Sequence, residues 1–213
     1  MQKIFGVDKY SFYLSEVTTS IIYNDEKIKN IILNSLKKEP FLVIDTRVPN
    51  VNVYIKDYLK SFRFNMQLIP YFGLENLLNK PILELTFEDQ IFIKIISLIC
   101  NCKEKIVFDD VLTFLNEKQK YQVLKYLKDN NILFYNFTSD MEEVLFTKYL
   151  IVLSRDGVII EGNTKSVLKE EKIIKHNGFN LPFVVDLSYQ LIDYGILDKE
   201  YYSLEKLVSD LWN

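Results

Sequence analysis

Short, largely apolar runs alternate along this chain with longer stretches that are apolar at helical spacing. That alternation limits the fold more than any other feature. Residues 41–44 (Phe-Leu-Val-Ile), 105–108 (Lys-Ile-Val-Phe), 132–137 (Ile-Leu-Phe-Tyr-Asn-Phe) and 149–154 read as strands. A strand apolar on both faces must be covered on both faces, as happens in a parallel sheet flanked by helices. Between these runs, residues 27–38 place Ile28, Ile31, Ile32 and Leu36 on one helical face, and Pro40 ends that helix. Residues 87–101 form a second helix, opened by acidic residues that suit a helix N-terminus. Residues 116–130 form a third, carrying Tyr121, Leu124 and Leu127. The reading is completed by a strand at 17–23, a helix at 53–64 and a short helix at 140–145. Residues 67–80 are ambiguous, broken by Pro70 and Gly73. Arg155-Asp156-Gly157 signals a tight hairpin between strands 149–154 and 158–161. A helix at 164–177 and a helical tail opened by Pro182 close the chain, and the class expected is α/β with a largely parallel sheet.

Composition narrows the function classes. Apolar residues make up 48% of 213 positions, enough for a large core. The 26 Lys+Arg against 29 Asp+Glu leave a net charge of −3, which excludes a general nucleic-acid binder and an acidic disordered tail. Cys100 and Cys102 are too few for a disulfide framework or a four-ligand zinc site and fit a reduced, cytosolic compartment. The first residues, Met1-Gln2-Lys3-Ile4-Phe5-Gly6, hold no apolar stretch of signal-peptide length. The most apolar run, 91–100, contains Lys94 and is too short to cross a bilayer. The expectation is a cytoplasmic protein without a transmembrane segment of its own, able to sit peripherally at a membrane through a partner.

From residue 82 onward the order of motifs resembles the nucleotide-binding subunit of ABC transporters, and the tail is most similar to the energy-coupling-factor ATPases of vitamin and cobalt uptake. Leu85-Thr86-Phe87-Glu88-Asp89-Gln90 sits where that family has Leu-Ser-Gly-Gly-Gln. Ile106-Val107-Phe108-Asp109-Asp110 resembles the Walker B strand with its two acids, and Asn116 falls near the D-loop aspartate. Ser139-Asp140-Met141-Glu142-Glu143-Val144 resembles the switch His-Asp-Met-Glu-Glu-Val. Residues 155–164 resemble the hairpin that follows, and Gly178-Phe179-Asn180-Leu181-Pro182 the C-terminal segment. Order and spacing agree over about 110 residues, which is more specific than any single motif. Residues 21–28 would be the remains of strand, P-loop and helix start. The resemblance implies a P-loop NTPase core over 1–164 with a reduced helical subdomain around 53–100, and a small C-terminal helical extension over 165–213.

The chemistry of that family is not written in these residues. A phosphate-gripping loop needs glycines so that backbone N–H groups can wrap the phosphates, a lysine for the terminal phosphates and a Ser/Thr for magnesium. No Gly-Lys-Ser/Thr occurs anywhere; Asn24, Asp25, Glu26 and Lys27 occupy the place, with no glycine under any register. Thr86, Phe87, Glu88 and Asp89 stand in or beside the signature's serine and glycines. Asp110 takes the position of the catalytic glutamate, one methylene shorter, and Ser139 replaces the switch histidine. Asp109 is read as either a retained magnesium neighbour or, with Asp110, a simple loop opener. His176 reads as a helix-end surface residue, Cys100 and Cys102 as core packing, Glu142 and Glu143 as a solvated helix face, and Trp212 as a tether for the tail.

These residues predict a non-catalytic ABC-ATPase-like subunit, a pseudoenzyme acting as scaffold or partner, with no working catalytic, cofactor or metal site. Its expected partners are a related ABC ATPase or a second copy of itself, and a membrane coupling subunit. The alternative is the ATP-binding subunit of an asymmetric ABC ATPase dimer driving vitamin or metal-ion uptake, with Mg-ATP as its cofactor. A third reading is a stand-alone interaction protein with only ancestral likeness to transporters.

Overall fold

The computed structural model describes residues 4–5, 8–36, 40–102 and 105–212. Lys37 and Lys38, the end of the first expected helix, lie outside them, as do Met1, Gln2, Lys3 and Gly6 of the leading segment. In chain order the elements are β1 (Ile4–Phe5), β2 (Phe12–Tyr13), β3 (Thr19–Tyr23), α1 (Glu26–Leu36), β4 (Phe41–Ile44), α2 (Ile55–Ser61), α3 (Ile69–Phe72), α4 (Phe87–Ile99), β5 (Lys105–Asp109), α5 (Glu117–Asp129), β6 (Phe134–Thr138), β7 (Tyr149–Ser154), β8 (Gly157–Asn163), α6 (Thr164–Leu168), α7 (Glu171–His176), α8 (Phe183–Asp193) and α9 (Leu204–Leu211). The chain divides into two compact units. Unit 1 combines 1–36 with 138–213; unit 2 is the 37–137 segment between them.

In unit 1, β3 pairs in parallel with β7, from Thr19 opposite Tyr149 to Tyr23 opposite Leu153. Strands β7 and β8 form an antiparallel hairpin whose register shifts between Val152 and Leu153. Every residue of β3 is buried, Thr19 and Ser20 included, because the strand is covered on both faces. Ser20 Oγ accepts from Thr147 Oγ1 at 2.9 Å, which satisfies a hydroxyl that burial would otherwise penalise. The core gathers Ile22, Val144, Leu150, Val152, Leu168 and Val185.

The β7–β8 loop is Arg155-Asp156, and Gly157 opens β8 rather than standing at the turn. Gly157 holds φ +118°, and a Cβ there would lie 2.4 Å from the Lys9 carbonyl oxygen. Only glycine allows both the angle and the approach. Arg155 O also accepts from Lys9 Nζ and from Tyr10 Oη, fastening the 3₁₀ turn Asp8–Tyr10 to the hairpin tip.

In unit 2, β4, β5 and β6 pair in parallel, Phe41 opposite Lys105 and Ile106 opposite Phe134. Ile106, Val107 and Phe108 have no exposed surface. Burying side chains of this size stabilises by about 1.5–3 kcal/mol each. Helix α4 packs Ile91, Ile95 and Ile99 into the same core as Phe72, Phe92, Val123 and Leu127. Its one charged interior residue, Lys94, donates to Asp45 O and Asp45 Oδ1, each at 2.7 Å, and to Arg47 O at 2.8 Å. The ammonium therefore pins the segment leaving β4. Residues 67–80 resolve as a 3₁₀ turn (Met66–Leu68) and α3, closed by Gly73 at φ +67°. That left-handed closing residue is the usual way a helix stops on glycine.

Several sequence expectations are corrected. Ile31 is 40% exposed, and Leu33 takes the buried position on α1 instead. The helix expected at 164–177 is two helices, because Glu170 leaves helical geometry at ψ 49°. Glu143 is fully buried and not on a solvated face. Trp212 is 79% exposed and tethers nothing by burial. Cys100 and Cys102 pack against the unit 2 core, and His176 ends α7 on the surface, as read.

Candidate functional site

The place that would hold a nucleotide's phosphates is the connection from β3 to α1. Strand β3 ends at Tyr23 and α1 begins at Glu26, so only Asn24 and Asp25 lie between them. Asp25 acts as the N-cap of α1. Its Oδ1 accepts from Lys27 N at 2.9 Å, and its carbonyl accepts from Ile28 N at 3.0 Å. The hydrogen bond from the Lys27 amide, with the Arg155 charge adding to it, holds the Asp25 carboxyl below the ordinary carboxylate range. Arg155 Nε sits 3.3 Å from Asp25 Oδ2. Asn24 Nδ2 donates to Asn177 O at 3.1 Å. Glu26 pairs with Lys29 at 2.9 Å, one helical turn away. The Lys27 amide at the start of α1 thus meets a carboxylate from the chain itself.

Ser139, also in unit 1, is exposed after the end of β6. Asp140 follows as the N-cap of the 3₁₀ turn Met141–Phe146, accepting from Glu142 N at 2.9 Å. Glu142 Oε1 accepts from Phe183 N at 2.6 Å and so caps α8. Ser139, Asp140, Glu142, Gly178, Phe183 and Asp186 border a cleft of about 470 Å³. Three carboxylates on its rim disfavour an anion there.

Unit 2 carries the other two sets. Thr86 N-caps α4, its hydroxyl accepting from Asp89 N at 3.2 Å. Glu88 and Asp89 fill the first turn, where acids suit the helix dipole. Phe87 is exposed and meets Phe114 edge-on, ring centroids 5.1 Å apart. Asn116 N-caps α5 in a capping box with Gln119. Gln119 Nε2 donates to Asp89 Oδ1 at 2.8 Å, so the signature-like and D-loop-like helix starts are tied together. Asp109 ends β5; Asp110 follows at φ +54°, a left-handed angle that aspartate tolerates better than most residues. Asp110 N donates to Phe137 O at 3.0 Å, extending the strand pairing into the turn.

Mg-ATP is what the fold type implies, and the β3–α1 connection does not fit it. Two residues cannot wrap a triphosphate with backbone amides, and neither is glycine. Among the described residues no three His, Cys, Asp or Glu side chains gather as a metal site would need. None of the described helices is long and apolar enough to cross a membrane. Sequence reading missed the roles of Arg155, Asn177 and Glu142. Asp25, three residues before the first periodic apolar residue Ile28, was a readable capping signal; the other three carried none.

No family model matches the chain. Among curated proteins it is similar to the energy-coupling factor transporter ATP-binding protein EcfA1 of Mesomycoplasma hyopneumoniae, 28% identical over 124 residues, covering 56% of this chain and 44% of the relative. The same protein of Lactobacillus delbrueckii subsp. bulgaricus is 30% identical over 112 residues, covering 50% and 40%. The matches span less than half the length of these relatives. Among solved structures, cbiO1 from Clostridium perfringens, part of the ABC transporter complex cbiONQ, superposes with a TM-score of 0.60 at 16% identity over 86% of this chain and 90% of that one. An ATP binding subunit of an ABC transporter gives 0.59 at 13% identity, over 85% and 91%. The chain therefore has the ABC transporter ATPase fold, a P-loop NTPase architecture, and is similar over part of its length to the ATP-binding subunits of energy-coupling factor transporters.

Proposed function

We propose that this chain is a non-catalytic ABC-ATPase-like subunit that works by binding, as a cytoplasmic scaffold or partner subunit of an energy-coupling-factor-like transport complex. The observation that carries this reading is the two-residue β3–α1 connection, with the Asp25 carboxylate occupying the Lys27 amide at the start of α1. A phosphate brought beside that carboxylate meets a like charge where the fold type needs free amides. The acidic first turn of α4 adds a second repulsive face for phosphate. Support for a binding role comes from unit 2. Ile82 N donates to Val53 O at 3.0 Å, which brings exposed Val53, Tyr54 and Leu83 to neighbouring backbone, and Phe87 and Phe114 are exposed as a ring pair. These exposed apolar groups are the surface on which the proposed partner would dock.

Titration calorimetry with Mg-ATP tests the reading. No saturable heat is expected, and a micromolar dissociation constant would end it. Co-expression with an intact ABC ATPase and a membrane coupling subunit is expected to recover a complex. The second reading, an ATP-binding subunit of an asymmetric dimer, is favoured by one feature: the retained Asp109-Asp110 pair at the end of β5. It requires turnover of the intact partner to rise on mixing and to fall when Asp109 becomes Ala.

A further inference from the structure

We infer that unit 1 contains a hydrogen-bonded relay coupling the turn after β6 to the turn between β3 and α1. The path is continuous through two helices. Glu142, in the 3₁₀ turn after β6, accepts from Phe183 N at 2.6 Å and fixes the start of α8. One turn along α8, Asp186 Oδ1 accepts from Lys175 Nζ of α7 at 2.7 Å. The same ammonium holds Glu171 at 2.7 Å, so Lys175 braces α7 at both ends. Asn177 closes α7; its Nδ2 donates to Ile173 O at 2.8 Å, and its carbonyl accepts from Asn24 Nδ2 at 3.1 Å. The next residue, Asp25, caps α1 through Lys27 N.

The helices between these links are anchored. Val184, Val185 and Ser188 of α8 and Ile174 of α7 are buried, so each helix moves as a body and not residue by residue. The links differ in strength. The Glu142 bond is charge-assisted and aimed at a helix N-terminus, and Lys175 is shared between two carboxylates. The Asn24–Asn177 bond is neutral and exposed, so it limits how much of a disturbance crosses. The relay rests on contacts within unit 1 and stands whether or not the chain holds nucleotide. It gives the two turns a shared conformation set by the C-terminal helices.

Amide hydrogen exchange by NMR on the full chain tests this. Glu142→Gln keeps the side-chain size and removes the charge. Exchange at the Phe183 amide is expected to rise about tenfold, from loss of a charged hydrogen bond. Exchange at the remote Lys27 amide is expected to rise about threefold, the smaller figure following from the neutral link. In a Lys175→Met background the Lys27 response should vanish while the Phe183 response persists. A Lys27 amide that ignores Glu142→Gln reduces Glu142 to a local cap and overturns the relay, as does a Lys27 response that survives Lys175→Met. An unchanged Phe183 amide overturns it at the first link. Should Glu142→Gln fail to fold, Lys175→Met alone, at a side chain 44% exposed, decides. It must shift the Asn24 side-chain amide resonances, and unshifted resonances refute the relay.

Discussion

Replacing Lys94 by Met removes three hydrogen bonds at once while keeping the aliphatic stem that α4 buries. The side chain is 16% exposed, and its ammonium spends all three protons on Asp45 O, Asp45 Oδ1 and Arg47 O. Hydrogen bonds to a charged group contribute about 1.5–3 kcal/mol each when measured singly, and three on one atom do not add. Burial would raise the Asp45 carboxyl, but the hydrogen bonds from Arg47 and Lys94 and the Lys94 charge outweigh it and hold it at about 2. Against its ordinary 3.8, that difference corresponds to about 2.4 kcal/mol. Part of it belongs to Arg47, whose side chain is 88% exposed and whose pairing water screens. The expected loss for Lys94→Met is therefore about 2 kcal/mol. Urea unfolding followed by far-ultraviolet circular dichroism reads this directly; the exposed Trp212 is a poor reporter. A slope of about 1–3 kcal/mol/M turns the loss into a midpoint about 1 M lower. The pH dependence gives an independent check. Because the folded carboxyl titrates below its unfolded value, its stabilisation is complete above about pH 4 and is lost as pH falls toward 2. Lys94→Met should flatten that acid limb. A loss under about 0.5 kcal/mol with an unchanged acid limb would refute the reasoning, since that is within the range of about 0–1 kcal/mol for an exposed pair.

Three further outcomes follow from the geometry. Gly157→Ala is expected to lower stability by about 2 kcal/mol or more in thermal unfolding, since it joins a left-handed angle to a Cβ placed 2.4 Å from Lys9 O; a neutral change would mean the hairpin tip yields freely. Asn116→Ala is expected to cost about 1 kcal/mol, because it removes the side-chain acceptor of the α5 capping box, and Asn116→Asp should restore most of it. Burial pushes the Cys100 thiol up to about 12, so alkylation by iodoacetamide at pH 8 should be slow in the folded chain and fast in urea. Rapid labelling of the native protein at Cys100 itself, located by peptide mapping, would contradict the largely buried setting.

The candidate site was readable where chemistry depends on residue type. The lack of any Gly-Lys-Ser/Thr and the carboxylates at Asp25, Glu88 and Asp89 stand in the sequence itself. What could not be read was where those carboxylates point. Asp25 turns onto the Lys27 amide of α1, and Asp89 onto Gln119 of another helix. Glu142 and Glu143 are adjacent and chemically alike, yet one caps α8 and the other is wholly buried. A 3₁₀ turn sends neighbouring side chains in different directions, so no helical face could be assigned to them.

The alternation of apolar runs with amphipathic stretches determined by itself that the chain would pair its strands in parallel under helices, because apolar residues on both faces leave a strand no solvent side. It also determined the short hairpin at Arg155-Asp156, since local turn chemistry sets that geometry. Tertiary structure alone decided that Gly157 serves a close approach to Lys9 rather than the turn, that Lys94 holds the segment after β4, and that Asn24 reaches Asn177. Each of these joins residues far apart in the chain. Periodicity records which face of an element is buried, but the partner it meets depends on how all the other elements pack, and no local pattern carries that information.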